Sequence, residues 1–332
     1  MLLLRLFLTF SLTCLAAATE VRAQDDSVEG SAATRRALRV AVLDFGDTET
    51  GRRTAADAWA HLSKLAGLRL VDAAQARAAA RGLGYAGSLN LTLEEARDLG
   101  AAIDCDYYLT GDAQTLRRSS SAVPVYYEAY ASVFLVSTRD GRLVSWFRPH
   151  GEAPTPAEAE RLLAAELARQ APNFRRDMFR AEEDEQSRRH REATVLDAPA
   201  YFEDAPEEGS DAAKDFVPPH PYRRVRPAYP DAAAQAEAEA TVDASVEIDE
   251  RGEVAGVRVV RWGGFGLDES VVQTLRQMHF RPATRSGRAV PVRVLMRYNF
   301  RRPPRTGQPQ QQAGEGEMKL GPAFKALLNR EP

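Results

Sequence analysis

The sequence predicts an α+β protein: an amino-terminal α/β module with a mixed sheet, a disordered acidic linker, and a carboxyl-terminal unit of order strand, strand, helix, strand. Three patterns carry this reading. Before residue 172, short apolar runs alternate with segments of helical spacing. Residues 181–215 hold 12 Asp+Glu against 4 Lys+Arg, net −8, with Pro199 and Pro206 and few large apolar side chains to offset ordering entropy. Beyond residue 240 the spacing becomes an apolar/polar alternation, as half-buried strands require.

Composition narrows the function classes. Among 332 residues, 44 Lys+Arg nearly balance 47 Asp+Glu, which argues against a dedicated nucleic-acid binder. With 27% charged residues the chain is no multi-span membrane protein, while 44% apolar residues suffice for two cores. Five His and two Cys argue against a zinc framework or a disulfide scaffold.

The chain opens with an export signal over residues 1–23. Met1 to Ala18 is apolar apart from Arg5, and Val21-Arg22-Ala23 places small residues at both recognition positions of a cleavage site ahead of Gln24. Export across the inner membrane is the expectation. The alternative is an inner-membrane anchor over residues 1–18, but the run from Leu6 to Ala18 is short of the roughly 20 residues a spanning helix needs.

After a polar, disordered lead-in over 24–36, the α/β module occupies 37–175. Leu38 to Phe45 reads as a buried central strand closed by Gly46-Asp47. Ala55 to Leu65 has helical spacing through Trp59, Leu62 and Leu65, Leu68 to Val71 is a second strand, and Ala73 to Arg81 is an Ala-rich helix. Gly82, Gly84 and Gly87 spell G-x-G-x-x-G, yet they follow a helix and precede a polar loop, so a helix end explains them better than dinucleotide binding. Asn90-Leu91-Thr92 matches a glycosylation acceptor, but Thr92 with Glu95 forms a capping box for the helix through Leu99. Cys105 lies in the apolar run Ile103 to Leu109 and reads as a core residue. Tyr107 to Gly111, Val123 to Ser137 and Leu143 to Phe147 are strands, with a turn at Arg139 to Arg142, and Ala157 to Gln170 is an amphipathic helix. This module resembles the α/β domain of envelope-assembly proteins of the curli-secretion lipoprotein and penicillin-binding-protein activator type. The resemblance rests on Arg39 to Phe45, Glu94 to Gly100 and Asp106 to Gly111. It implies an envelope scaffold.

The linker is assigned to 176–221 and the second domain to 222–303, followed by a low-complexity tail over 304–332. In the domain, Thr241 to Ile248 alternates, Asp249 to Gly252 turns, and Val254 to Val260 completes a hairpin. Leu267-Asp268 opens a helix whose Val271, Val272, Leu275 and Met278 form one apolar stripe, with Asp268 as its expected cap. Phe280 to Ala283 ends it, Ser286-Gly287 turns, and Val290 to Phe300 is the long final strand.

Tyr229-Pro230, the turn at Gly252, Val257-Val259-Val260, Leu267-Asp268, Phe280-Arg281-Pro282-Ala283, Gly287 and Val290-Pro291-Val292 make this domain similar to the TonB C-terminal domain. The resemblance implies a ββαβ TonB-like periplasmic module that grips a segment of an outer-membrane receptor or transporter. An open edge on the last strand would accept that segment as a further strand. Tyr229, Pro230, Val292, Arg293, Leu295, Arg297 and Asn299 are the expected partner-binding residues, with Arg293, Leu295, Arg297 and Asn299 tuning affinity. A homodimer through the same edge is the alternative, in which the chain is an envelope-assembly scaffold whose first module binds the partner. Membrane contact is expected only through partners or an uncleaved amino terminus.

Energy-coupling members of the family carry Ser and His four apart in an anchoring helix. Here Ser11 is followed four later by Leu15, and the first histidine is His61, so the residues that would engage a motor do not match, and a link to energy-dependent transport stays open. Residues 221–305 carry 15 Arg, no Lys and 10 Asp+Glu; a passive spacer beside a solvated basic surface is the default reading, and docking of the oppositely charged linker on this domain until a partner competes is the alternative. The five histidines show no ligand spacing and no nucleophile sits in a triad order, so neither enzyme activity, nor metal, nor cofactor is expected.

Overall fold

The computed structural model describes residues 36–121, 124–194, 201–207, 209–302 and 315–319. The signal segment, nearly all of the lead-in and most of the tail lie outside the described residues.

The amino-terminal module runs β1 (Leu38–Val42), α1 (Glu49–Leu62), β2 (Leu68–Leu70), α2 (Ala73–Gly82), α3 (Leu93–Ile103), β3 (Tyr107–Arg118), β4 (Tyr126–Ser137), β5 (Leu143–Phe147), β6 (His150–Ala153) and α4 (Pro156–Thr194). Its sheet has the order β2-β1-β3-β4-β5, with β6 also on β4. The β1–β2 and β1–β3 pairs are parallel and the remainder antiparallel, which is the mixed sheet expected.

Local chemistry sets these boundaries. Thr92 Oγ1 accepts the Glu95 N–H at 3.1 Å while Glu95 Oε2 accepts the Thr92 N–H at 2.7 Å, so the capping box is formed. Helix α2 starts on Asp72, whose carboxylate accepts the N–H groups of Ala74 and Gln75. It ends with Gly84 at φ 74°, whose N–H reaches Arg81 O while that of Tyr85 reaches Ala80 O. That is a left-handed helix stop, and the glycine triplet belongs to it. Cys105 is buried, and burial pushes its thiol up to about 12.

Two apolar layers cover the sheet. One packs α1 and α4 on it through Leu62, Leu109, Leu163, Phe174 and Met178. The other lies under α2 and α3 and continues without a break into the carboxyl-terminal domain, joining Leu43, Leu99 and Phe134 to Val242, Trp262 and Leu275.

Helix α4 is longer than the amphipathic stretch suggests. Its buried positions continue as Ala159, Leu163, Leu167, Ala171, Phe174 and Met178, straight through Pro172. Its last turns are held by pairs such as Arg189–Glu185, 2.9 Å, and Arg139–Glu182, 3.2 Å. The acidic segment, expected to be disordered or loosely helical at its start, begins as helix through Thr194.

After residue 200 the same segment is strapped onto the next domain by β7 (Glu203–Asp204), a short 3-10 turn at Asp211–Ala213, β8 (Phe216–Val217) and β9 (His220–Pro221). Opposite charges meet here, so this part of the segment is a docked strap and not a passive spacer. Arg285 meets Glu203 and Asp215, each at 3.3 Å, and Arg293 meets Asp204 at 3.4 Å.

The carboxyl-terminal domain contains α5 (Asp231–Gln235), β10 (Ala240–Ile248), β11 (Val254–Arg261), α6 (Leu267–Arg276), β12 (Phe280–Arg281), β13 (Thr284–Arg285), β14 (Arg288–Ala289), β15 (Val292–Phe300) and β16 (Glu315–Lys319). Its main sheet has the order β11-β10-β15-β16. The main elements are β10, β11, α6 and β15, in the strand, strand, helix, strand order expected. Val242, Ala244, Val246 and Ile248 of β10 and Val292, Val294, Met296, Tyr298 and Phe300 of β15 all point into the core under α6. Ser286 and Gly287 both take positive φ, 49° and 77°, in the β13–β14 hairpin turn.

One expectation is overturned here. The outer edge of β15 is not open: β16 pairs antiparallel with Leu295 to Asn299, and β7 pairs parallel with Val292 and Arg293. An unpaired edge offers N–H and C=O groups to any extended segment within reach, and the chain supplies two.

Candidate functional site

The site is built on β15. Its inner flank pairs with β10 over nine residues, from Val292 opposite Ile248 to Phe300 opposite Ala240. The outer flank is where a partner strand would lie.

The residues expected to meet a partner divide into three groups. Val292 and Leu295 are closed off: Val292 is in the core, and Leu295 packs on the opposite face with Val260 and with Leu93 of the amino-terminal module. Arg293, Arg297 and Asn299 lie on that opposite face but are tied to β10. Arg293 bonds Glu247 at 2.9 Å, and Asn299 Oδ1 accepts the Thr241 hydroxyl at 2.9 Å. Arg297 makes a two-pronged pair with the fully buried carboxylate of Asp243, 2.7 Å from both Nε and Nη2. Arg261 Nε approaches the same carboxylate at 3.4 Å, so one buried charge is shared by two guanidinium groups from the flanking strands.

Tyr229 and Pro230 shape the domain and lie off the edge. Tyr229 donates its hydroxyl to Ala238 O at 2.6 Å, and its ring sits 6.2 Å from that of Phe300. Pro230 is the residue before α5, whose opening it fixes.

Below the end of β15, Met278, Met296, Tyr298 and Met318 meet Pro218, Pro219 and His220 around a cavity of about 520 Å³. Met318 is the residue of β16 that packs against the core, which gives the outer flank an apolar pocket beside its backbone groups.

Sequence reasoning missed how the site is braced. Asn90, read only as part of an acceptor triplet, donates its amide to Thr241 O at 2.8 Å and Trp262 O at 2.6 Å, and accepts the Thr241 N–H at 3.1 Å. It thereby joins the end of β11 and the start of β10 to the amino-terminal module. Around it, Phe134 contacts Trp262 and Phe265 at ring distances of 5.8 and 5.2 Å, and Trp146 lies 5.5 Å from Phe265. The Gly263 to Gly266 loop makes this approach. At Gly264, φ is 69° and an added Cβ would sit 2.3 Å from the Phe134 ring, so any larger residue would strain the backbone and displace that ring. The signals available in the sequence were Gly263-Gly264 and two aromatic residues beside them.

Asp268 does not cap its helix as expected. Gly266 takes the cap position, and the Asp268 carboxylate reaches back to accept the N–H groups of Gly263 and Gly264 at 2.8 and 2.9 Å. It holds the docking loop. Burial pushes this carboxyl up to about 7, with Glu269 adding to the rise and the two N–H groups opposing it. The folded state thus binds the proton more tightly than an ordinary carboxylate near 3.9 does, so its contribution to stability falls as pH rises between about 4 and 7. Urea midpoints at pH 5 and pH 8 are expected to differ more in the native chain than in Asp268→Asn. Equal differences in the two would show that Asp268 does not titrate in this window.

Among the described residues no group of three or more His, Cys, Asp or Glu is placed to hold a metal ion. What the arrangement offers is directional backbone hydrogen bonding along one strand, an apolar pocket, and an arginine-bearing face.

Residues 225–301 match the family model for the Gram-negative bacterial TonB protein C-terminal domain. No curated protein matches the chain. Among solved structures, lipoprotein GNA1162 from Neisseria meningitidis is 14% identical, covering 41% of this chain and 99% of its own, with a TM-score of 0.31. The hypothetical protein CT253 from Chlamydia trachomatis is 10% identical, covering 41% and 97%, with a TM-score of 0.29. The LpoB C-terminal domain from Salmonella enterica is 14% identical, covering 36% and 84%, with a TM-score of 0.25.

Proposed function

We propose that this chain, carrying a TonB C-terminal domain over residues 225–301, is a periplasmic binding protein. It takes up an extended segment of an outer-membrane receptor or transporter along the outer flank of β15, by strand exchange. The observation that carries the reading is the asymmetry of that strand. Its inner flank is paired along all nine residues within the domain, while among the described residues its outer flank is held by segments of five and two residues from outside 225–301. Short strands contribute few backbone bonds, so a longer incoming segment gains by replacing them. Linked to energy-dependent transport, the domain would be the point at which the receptor is held.

The chain acts by binding and performs no catalysis in this reading. The test is to titrate the isotope-labelled full chain with amino-terminal peptides of receptors encoded beside it. Saturable amide shifts confined to β15 and the Met278 pocket are expected. No binding at millimolar peptide would remove the proposal and favour the scaffold alternative, in which β15 joins two copies and sedimentation reports twice the chain mass.

A further inference from the structure

Resting on the reading of β15 as the partner edge, we infer that residues 315–319, assisted by 203–204, are a tethered occupant of the partner slot. The partner is accordingly a short extended segment with a methionine-sized apolar side chain at the Met318 position and acidic residues on its amino-terminal side.

The two segments divide the edge between them. Leu295 pairs with Lys319, Met296 with Met318, Arg297 with Glu317, Tyr298 with Gly316 and Asn299 with Glu315. Val292 and Arg293 pair with Glu203 and Asp204, where the Glu203 N–H donates to Pro291 O at 3.2 Å and the Ala205 N–H to Arg293 O at 3.0 Å. Within Val292–Phe300, only Val294 and the terminal Phe300 stand outside these registers. The occupant is therefore composite and covers nearly the whole site a partner would use.

Its sequence states what the slot accepts. Both pieces are acidic, Glu203-Asp204 and Glu315-Gly316-Glu317, and they lie on a domain with an excess of arginine. Gly316 and Met318 sit in register with Tyr298 and Met296, on the pocket side, and Met318 lines the cavity with Met278, Met296 and Tyr298. An apolar residue preceded by acidic ones and followed by Lys319 is the pattern a competing segment would copy.

The tether makes the occupant effective. Fourteen residues, 301–314, separate β15 from β16, and a connection of that length holds a ligand at an effective concentration on the order of millimolar. A free segment binding at comparable intrinsic strength must overcome it. Closing the edge in this way also prevents uncontrolled strand pairing between copies.

The experiment compares three proteins: the full chain, the full chain with Met318→Asp, and a chain ending at Arg302. The probe is a synthetic peptide of residues 312–322, with its Met318→Asp version as control. The chain ending at Arg302 is expected to bind the native peptide about tenfold more tightly than the full chain does, with amide shifts on β15. The control peptide is expected to lose at least tenfold, and the full chain with Met318→Asp, which keeps its length and every residue of the domain up to Arg302, is expected to regain most of the affinity. Equal binding by all three proteins, or none at millimolar peptide, overturns the inference. A receptor peptide that binds the full and shortened chains equally overturns it while sustaining the proposed function. Tail-peptide binding with no response to any receptor peptide sustains the closed edge and removes the proposed function.

Discussion

Trp262→Ala is expected to lower the thermal midpoint by about 10 °C and to split a single unfolding transition into two. Trp262 is 1% exposed, with its ring against Phe134 and its Nε1–H donated to Gly141 O at 3.2 Å. Truncating a buried Trp costs about 3 kcal/mol or somewhat more, and each kcal/mol moves the midpoint of a body this size by about 3 °C. The splitting is the more specific result, because the residue lies where the two domains share a core. Trp262→Phe, which keeps a ring for Phe134 while losing the hydrogen bond and part of the buried ring volume, should retain one transition. A single transition in the alanine variant, shifted by less than about 2 °C, would mean that the shared core does not hold the domains together.

Asp243→Ala is the second large loss expected, about 3 kcal/mol in chemical denaturation. Its carboxylate is fully buried and is the common acceptor for Arg297 and Arg261, whose side chains are 28% and 25% exposed. Removing it leaves two cations half-buried on one face of the sheet with their principal partner gone. Asp243→Asn keeps an acceptor and should lose less. Arg297→Leu in the alanine background should recover part of the deficit, since replacing both members of such a pair is milder than removing one. If the single alanine change costs under 1 kcal/mol, the buried charge is not what ties β10, β11 and β15 together.

Much of this architecture could be read from residue patterns because the patterns are local. The alternation in Val292 to Phe300, the stripe on α6, the capping box at Thr92 and the positive-φ turn at Ser286-Gly287 each follow from neighbours within a few positions. What escaped reading depended on distant partners. The acidic composition of residues 181–215 argues for disorder in isolation, yet Arg285 and Arg293 lie some 80 residues further on and give Glu203, Asp204 and Asp215 counter-charges. The tail that supplies β16 looks like a low-complexity run, and only the register of β15 turns it into a strand. Leu295 reads as an exposed member of an alternating strand because nothing nearby in the chain announces that Leu93 will cover it. Asn90 likewise shows its role only when Thr241 and Trp262 are brought beside it.

The bracing of β10 and β11 on the amino-terminal module through Asn90, Trp262 and Phe134 has a mechanical consequence. Tension applied to a strand seated on β15 would load nine rungs of the β10–β15 ladder in shear. It would then pass directly into the neighbouring sheet, with no slack to take up between the two halves. In the proposed reading, a pull on β15 would thus be felt at the amino-terminal sheet through Asn90 and Trp262.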